Sequence, residues 1–202
     1  MAWPRRPDRQ PAEARASPVA RAEVFEGAVP GIAALFQGIA EDRTHAVLDL
    51  GAASEQSLRV YSRFARWIHF ADLLSETWPQ QSSGGAWQLP KLERAYDLVF
   101  GWDILDRMFP EAGSRLVQWL TNSTAPGARV HVIVRASEDA ISRPLRFTLM
   151  DVGRIRYEIA GTARLPLARL LPAEVGKVLA PLRVEHAFTL KSGLREYLAV
   201  RP

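Results

Sequence analysis

Three aspartates stand at the ends of apolar runs, where a carboxylate can either organise a turn or meet a ligand. Asp49 lies in "AVLDLGAASEQSL", Ala46–Leu58, two residues before Gly51 at what reads as a strand running into a helix. Such junctions bring the backbone close to a phosphate or a cofactor and usually carry several glycines. Here Gly51 stands alone, followed by Ala52 and Ala53. Asp72 closes "RWIHFADLL", and Asp103 follows Gly101 and Trp102 in "YDLVFGWD". Asp103 either caps the helix "ILDRM" or faces a substrate, and Trp102 either faces a substrate or packs the sheet edge.

Other chemistries find little support. His45, His69, His131 and His186 are scattered, and each reads as a packing or surface residue. Neither an H-x-x-x-H pair nor a carboxylate cluster points to a metal. The nucleophile elbow of serine hydrolases is absent. With no cysteine, disulfides, thiolate zinc sites and a cysteine nucleophile are excluded. The net charge of +4 arises from 26 basic and 22 acidic residues, interleaved throughout. No basic block with interleaved aromatics gives a nucleic-acid signal.

The elements that must position these residues follow from periodicity. Residues 1 to about 22 are rich in Pro, Arg and Ala and are expected to be a disordered or loosely docked tail. They carry arginines but no apolar h-region, so they do not read as a secretory signal, and no apolar run is long enough to span a bilayer. A cytoplasmic protein with no membrane partner is the expectation. Residues 23–202 read as one domain. "PGIAALFQGI" spaces Ile32, Leu35, Phe36 and Ile39 as one helical face. Strands are expected at Ala46–Leu50, from Trp67 to near Asp72, at Tyr96–Gly101 and through "ARVHVIVRA". The first helix between them is capped by Ser54 and turns Leu58, Tyr61 and Phe64 inward. Residues 75–95 read as mostly loop, with Trp78 and Trp87 as core or loop anchors. A helix over 111–121 buries Leu116, Val117 and Leu120, and Pro126-Gly127 marks a turn. "RFTLMDVGRIRYEIA" reads as two short strands around Val152-Gly153 or as a strand and an irregular arm, with Tyr157 a core or loop anchor. A short helix fits 172–179, and "RVEHAFTL-KSG-LREYLAVRP" is a hairpin. The apolar strands centred on Val47, Ile68, Val99 and Val132 are expected to be parallel neighbours in an α/β fold.

In this order the segments resemble the class I S-adenosylmethionine-dependent methyltransferases, a Rossmann-like sandwich with a mostly parallel sheet and a C-terminal antiparallel hairpin. "VLDLGAAS" is similar to the family's first motif. "WIHFADLL" looks like its second strand, "LPKLERAYDLVFGWDILDRM" its fourth-strand region, and "APGARVHVIVR" its fifth strand. The resemblance covers about residues 30–201. It implies that Asp49, Gly51, Ala52 and Ala53 form the turn at the cofactor's methionine end. It also implies that Asp72 accepts from the ribose hydroxyls and that Gly101 and Trp102 lie near the reactive methyl. The implied activity is methyl transfer from S-adenosylmethionine to a small-molecule or protein nucleophile. Asp103 is the one candidate base, needed only where the nucleophile has a proton to lose. The family pattern is acid-x-Gly-x-Gly-x-Gly, and this chain departs from it. Ala53 replaces the second glycine and Glu55 the third, and no acid in "TWPQQSSGGAWQLP" matches the adenine contact. Glu55 repels the cofactor carboxylate if it points inward and suits the helix dipole if it points outward. A dehydrogenase would also end its second strand on an acid, but its G-x-G-x-x-G is absent. The alternative to a working enzyme is a degenerate fold that serves as a binding or scaffolding partner.

Overall fold

The structure, a computed structural model, describes residues 24–74, 89–108, 110–135, 143–160 and 170–202. The expected tail over residues 1–22, most of the loop over 75–95, and Trp78 and Trp87 lie outside these residues.

Among the described residues six strands form the main sheet: β2 (His45–Asp49), β3 (Ala65–Phe70), β4 (Tyr96–Trp102), β5 (Thr124–Arg135), β8 (Arg183–Thr189) and β9 (Leu194–Val200). Their order is β3-β2-β4-β5-β9-β8. The first four are parallel, with Val47 opposite Ile68 and Leu98, and Val99 opposite Val130. β9 runs antiparallel to both β5 and β8, as the terminal hairpin requires. The molecule is therefore a Rossmann-like sandwich, mostly parallel with an antiparallel C-terminal pair. The near-continuous apolar runs of β2, β4 and β5 follow from burial on both faces.

Alternate residues along each strand feed two cores. One holds Leu48, Val99, Val130 and Val132 against α3 (Pro110–Asn122) and α4 (Pro172–Leu179), with Leu116, Val117 and Leu120 turned in as their spacing predicts. The other holds Val47, Leu98, Phe100 and Ile133 against α1 (Pro30–Phe36) and α2 (Glu55–Phe64). Ser54 caps α2 by accepting from the Ser57 amide at 3.0 Å. The inward face of α2 is Val60, Tyr61 and Phe64, while Leu58, expected inside, is exposed. Val60 falls between Ser57 and Phe64 on the buried stripe, and Leu58 lies off it.

A second, three-stranded sheet lies over this face. Its order is β1-β7-β6, from β1 (Val24–Ala28), β6 (Leu145–Asp151) and β7 (Arg154–Ile159). The segments around Val152-Gly153 form an antiparallel pair, the first of the two alternatives open from the sequence. β1 was not anticipated; it pairs with β7 through Phe25 and Tyr157, whose rings stack at 5.0 Å. Ser57 Oγ accepts from the Leu149 amide at 3.0 Å, and Gln56 donates to the Met150 carbonyl at 2.9 Å, so α2 carries this sheet. Pro126-Gly127 lies inside β5 rather than before it. The β4–β5 register shifts there, and Gly127 takes a φ of +79° that suits an irregularity in a strand. Among the described residues no helix is long and apolar enough to cross a membrane.

Candidate functional site

Strand order reverses between β2 and β4, and open α/β sheets bind ligands in the crevice beyond the strand ends at such a switch point. Asp49 ends β2 and Trp102 ends β4 at this crevice. The indole of Trp102 reaches across it and donates from Nε1 to Asp49 Oδ1 at 2.5 Å. The same oxygen accepts from the Gly51 amide at 2.8 Å, and Oδ2 accepts from the Tyr61 hydroxyl at 2.7 Å. Asp49 is 2 % exposed, and burial pushes its carboxyl up to about 6 against the pull of these three donors. The same burial and the neighbouring carboxylate push the Tyr61 phenol well above its ordinary value.

Trp102 is 1 % exposed and stacks on Phe147 of β6, ring centres 5.2 Å apart and planes within 5°. Its φ of +49° is uncommon for a bulky residue and stores roughly 1–3 kcal/mol of strain. Stacking, the bond to Asp49 and burial hold it there. Gly51 leaves room for this indole: a Cβ at that position would lie 3.1 Å from Trp102 Cδ1 and Nε1. Gly101 is needed for strand packing, because a Cβ there would meet Val132 Cγ1 at 2.7 Å.

Backbone bonds draw the loops after β2 and β3 together. The amides of Ala71 and Leu73 donate to the Asp49 and Leu50 carbonyls, each at 2.8 Å, and Asp72 donates to the Gly51 carbonyl at 3.2 Å. Ala52 and Ala53 lie exposed between β2 and α2. Glu55 points to solvent and pairs with Arg59 at 2.5 Å, so it brings no charge into the crevice. Asp72 is exposed, with a φ of +46°, and its carboxylate has no hydrogen-bond or ion-pair partner among the described residues. Beside it a cavity of about 190 Å³ is bounded by Gly51, Ala52, Asp72, Arg107, Arg146 and Phe147.

Asp103 is fully buried and belongs to a charged cluster. Its Oδ1 accepts from Arg107 Nε at 2.9 Å and its Oδ2 from Arg135 Nη2 at 3.0 Å. Asp106 accepts from the Arg135 amide at 2.8 Å and from its guanidinium at 3.0 Å. Burial raises the Asp106 carboxyl to about 7, opposed by the Arg135 charge and assisted by that of Asp103. Arg107 also donates to the carbonyls of Leu74 at 2.9 Å and Leu145 at 2.5 Å. It thereby fastens the loop after β3 and the start of β6 to the 3-10 turn Ile104–Arg107. The Asp103–Arg107 pair was readable as i, i+4; its closure by Arg135 was not.

Beneath Trp102 lies a pair that sequence reasoning missed. His131 Nε2 is 2.8 Å from Glu196 Oε1, both residues fully buried, and Glu196 Oε2 accepts from the Gly31 amide at 3.0 Å. The only signal was a glutamate on the inward phase of the alternating strand "LREYLAV".

No protein-family model matches the chain, and neither does any curated protein. Solved structures do. An S-adenosylmethionine-dependent methyltransferase from Mesorhizobium loti superposes with a TM-score of 0.56 at 14 % identity, over 85 % of this chain and 96 % of that one. The 1,6-didemethyltoxoflavin N1-methyltransferase of Burkholderia thailandensis, with bound 1,6-didemethyltoxoflavin and S-adenosylhomocysteine, gives 0.52 at 17 % identity over 85 % and 76 %. An amino pentose methyltransferase from Micromonospora echinaspora, with bound S-adenosylmethionine, gives 0.51 at 14 % identity over 86 % and 90 %. At such identities the likeness is one of architecture, and this chain has the fold of the S-adenosylmethionine-dependent methyltransferases.

Proposed function

We propose that this chain is a methyltransferase-fold protein that does not transfer methyl groups and serves as a binding or scaffolding protein. One observation carries the reading: the indole of Trp102 lies buried across the crevice at the switch point and is bonded to Asp49. The residues here do not fit S-adenosylmethionine. Asp49, the acid expected at the methionine end, already accepts from three protein donors and is buried from any ammonium group. The Gly51 carbonyl accepts from the Asp72 amide, and on its Cβ side Gly51 abuts the indole, where a Cβ would lie 3.1 Å from Cδ1 and Nε1. The remaining cavity of about 190 Å³ is below the roughly 300–1,000 Å³ of ordinary ligand pockets. Asp103 does not suit a general base, because each of its oxygens is held by a guanidinium.

A second reading, methylation of a small-molecule or protein nucleophile with S-adenosylmethionine, is favoured by the unpartnered Asp72 carboxylate beside that cavity. Calorimetric titration with S-adenosylmethionine and with its demethylated product separates the two. The non-methylating reading expects no heat of binding from the parent and none from Asp72→Ala. Saturable one-to-one binding by the parent, weakened in Asp72→Ala, would overturn it in favour of the second.

A further inference from the structure

The opposite flank of the sheet carries a different arrangement. β3 is an edge strand, and among the described residues it pairs only with β2. An unpaired edge offers its N–H and C=O groups to another extended chain. Trp67, near the middle of β3, is 46 % exposed, large for an indole on a sheet. The guanidinium of Arg94 lies over its ring at 3.8 Å from the centroid, and that of Arg66 lies at 5.5 Å. A cavity of about 360 Å³ opens beside it, bounded by Trp67, His69, Lys91, Glu93, Arg94 and Tyr96. Arg66, Lys91 and Arg94 have no carboxylate partner among the described residues. Arg63, Arg107, Arg135 and Arg156, by contrast, are all paired. Of these three, Lys91 and Arg94 line the cavity, and among the described residues it sets one carboxylate, Glu93, against them.

We propose that the β3 edge and its cavity form a docking surface for an acidic, extended peptide segment of a partner protein. The proposal rests on the reading that this chain acts by binding. A segment added to β3 gains backbone hydrogen bonds along the edge and places every second side chain over the face that carries Trp67 and His69. Carboxylates there meet Lys91 and Arg94. The Arg94 guanidinium sits over the indole at 3.8 Å and has no hydrogen-bond or carboxylate partner among the described residues, so its N–H groups can take a carboxylate with two bonds. A single-stranded nucleic acid fits less well. Base recognition needs an open aromatic face, and Arg94 covers that of Trp67.

The test is fluorescence anisotropy with a labelled decapeptide of alternating Glu and Val, its Gln–Val counterpart, and an oligouridylate. The acidic peptide is expected to bind, and its Gln–Val counterpart to bind at least tenfold more weakly. Half-molar salt should release the acidic peptide. Arg94→Glu and Lys91→Glu should each weaken binding about tenfold with an unchanged circular dichroism spectrum, and Trp67→Ala should do the same through loss of the plate under Arg94. Absence of binding by the acidic peptide, or equal binding by the charge-reversed proteins, overturns the proposal. Tighter binding of the oligouridylate, lost in the same variants, overturns it in favour of nucleic acid. A parent that is dimeric by light scattering and monomeric as Arg94→Glu overturns it in favour of a second copy of this chain. Silence towards both the peptide and the methyl-donor cofactor removes this proposal alone and leaves the non-methylating reading standing.

Discussion

Replacing Asp49 by Asn tests whether the crevice is a closed part of the core. An Asn oxygen can accept from both the Gly51 amide and Trp102 Nε1, and its NH2 can donate to Tyr61 once that hydroxyl turns round. All three contacts survive while the charge is removed. The carboxyl is raised from 3.8 to about 6 in the folded protein, chiefly by burial. A folded-state pKa above the unfolded value means that the folded protein holds the proton more tightly. The stability this contributes is fully present below about pH 4 and is lost as pH rises through about 6. At about 1.4 kcal/mol per unit, the shift amounts to about 3 kcal/mol, of which about half falls between pH 5 and pH 8. Urea unfolding of parent and Asp49→Asn at these two pH values reads the difference. The parent should lose stability from pH 5 to pH 8 more steeply than the variant, and at pH 8 the variant should equal or exceed the parent. A variant that is less stable by 1 kcal/mol or more at pH 8, with the slope unchanged, would refute the reasoning. The three donors would then outweigh dehydration, and Asp49 would be a fully ionised group of the kind a bound ammonium needs.

Two further perturbations probe the charged cluster. Arg107→Leu strips Asp103 of one of its two cations and leaves the Leu74 and Leu145 carbonyls without their donor, so urea unfolding should show a loss of about 3–5 kcal/mol. Hydrogen exchange should quicken first at Leu145–Asp151; a loss below 1 kcal/mol would contradict the fastening role. Asp106→Asn keeps an oxygen for the Arg135 amide and guanidinium while removing a carboxyl raised to about 7. The parent's stability from this group is present below about pH 4 and lost as pH rises through about 7, so the variant's unfolding free energy should vary less between pH 5 and pH 8. An unchanged slope would show that Arg135 keeps Asp106 ionised throughout.

Most of the main sheet was legible because its strands are apolar on both faces and are separated by helical periods. β2, β4 and β5 needed nothing beyond local pattern, and the C-terminal hairpin announced itself through "KSG" between two alternating runs. β1 was not legible. "VFEGA" is five exposed residues whose partner, β7, lies about 130 positions away, and local pattern carries no trace of such a pairing. Leu58 was misplaced for the reverse reason. It is apolar, but the buried stripe of α2 passes through the small polar Ser57, which β6 uses as a hydrogen-bond acceptor. The Pro126-Gly127 pair reads as a turn by composition, and the ladder between β4 and β5 absorbs it as an irregularity.

The crevice was legible by position and not by state. That Asp49 and Trp102 lie at the ends of β2 and β4, with Gly51 in the loop after β2, follows from where the apolar runs stop. Whether the crevice is open depends on the direction of one indole, and contacts remote in sequence set that direction. Asp49 supplies the acceptor from 53 residues away, and Phe147 supplies the stacking surface from the other side. Phe147 belongs to the hairpin between β5 and α4, which α2 in turn holds in place through Ser57 and Gln56. On the non-methylating reading, closure of the crevice is therefore a property of the second sheet as much as of the first motif. Had Gly51 been the only constraint, an approaching ligand and an approaching indole would have been equally good explanations of it. The non-methylating reading takes the indole as that explanation, because the atoms nearest to a Cβ at Gly51 are those of Trp102 and of the acid to which it is bonded.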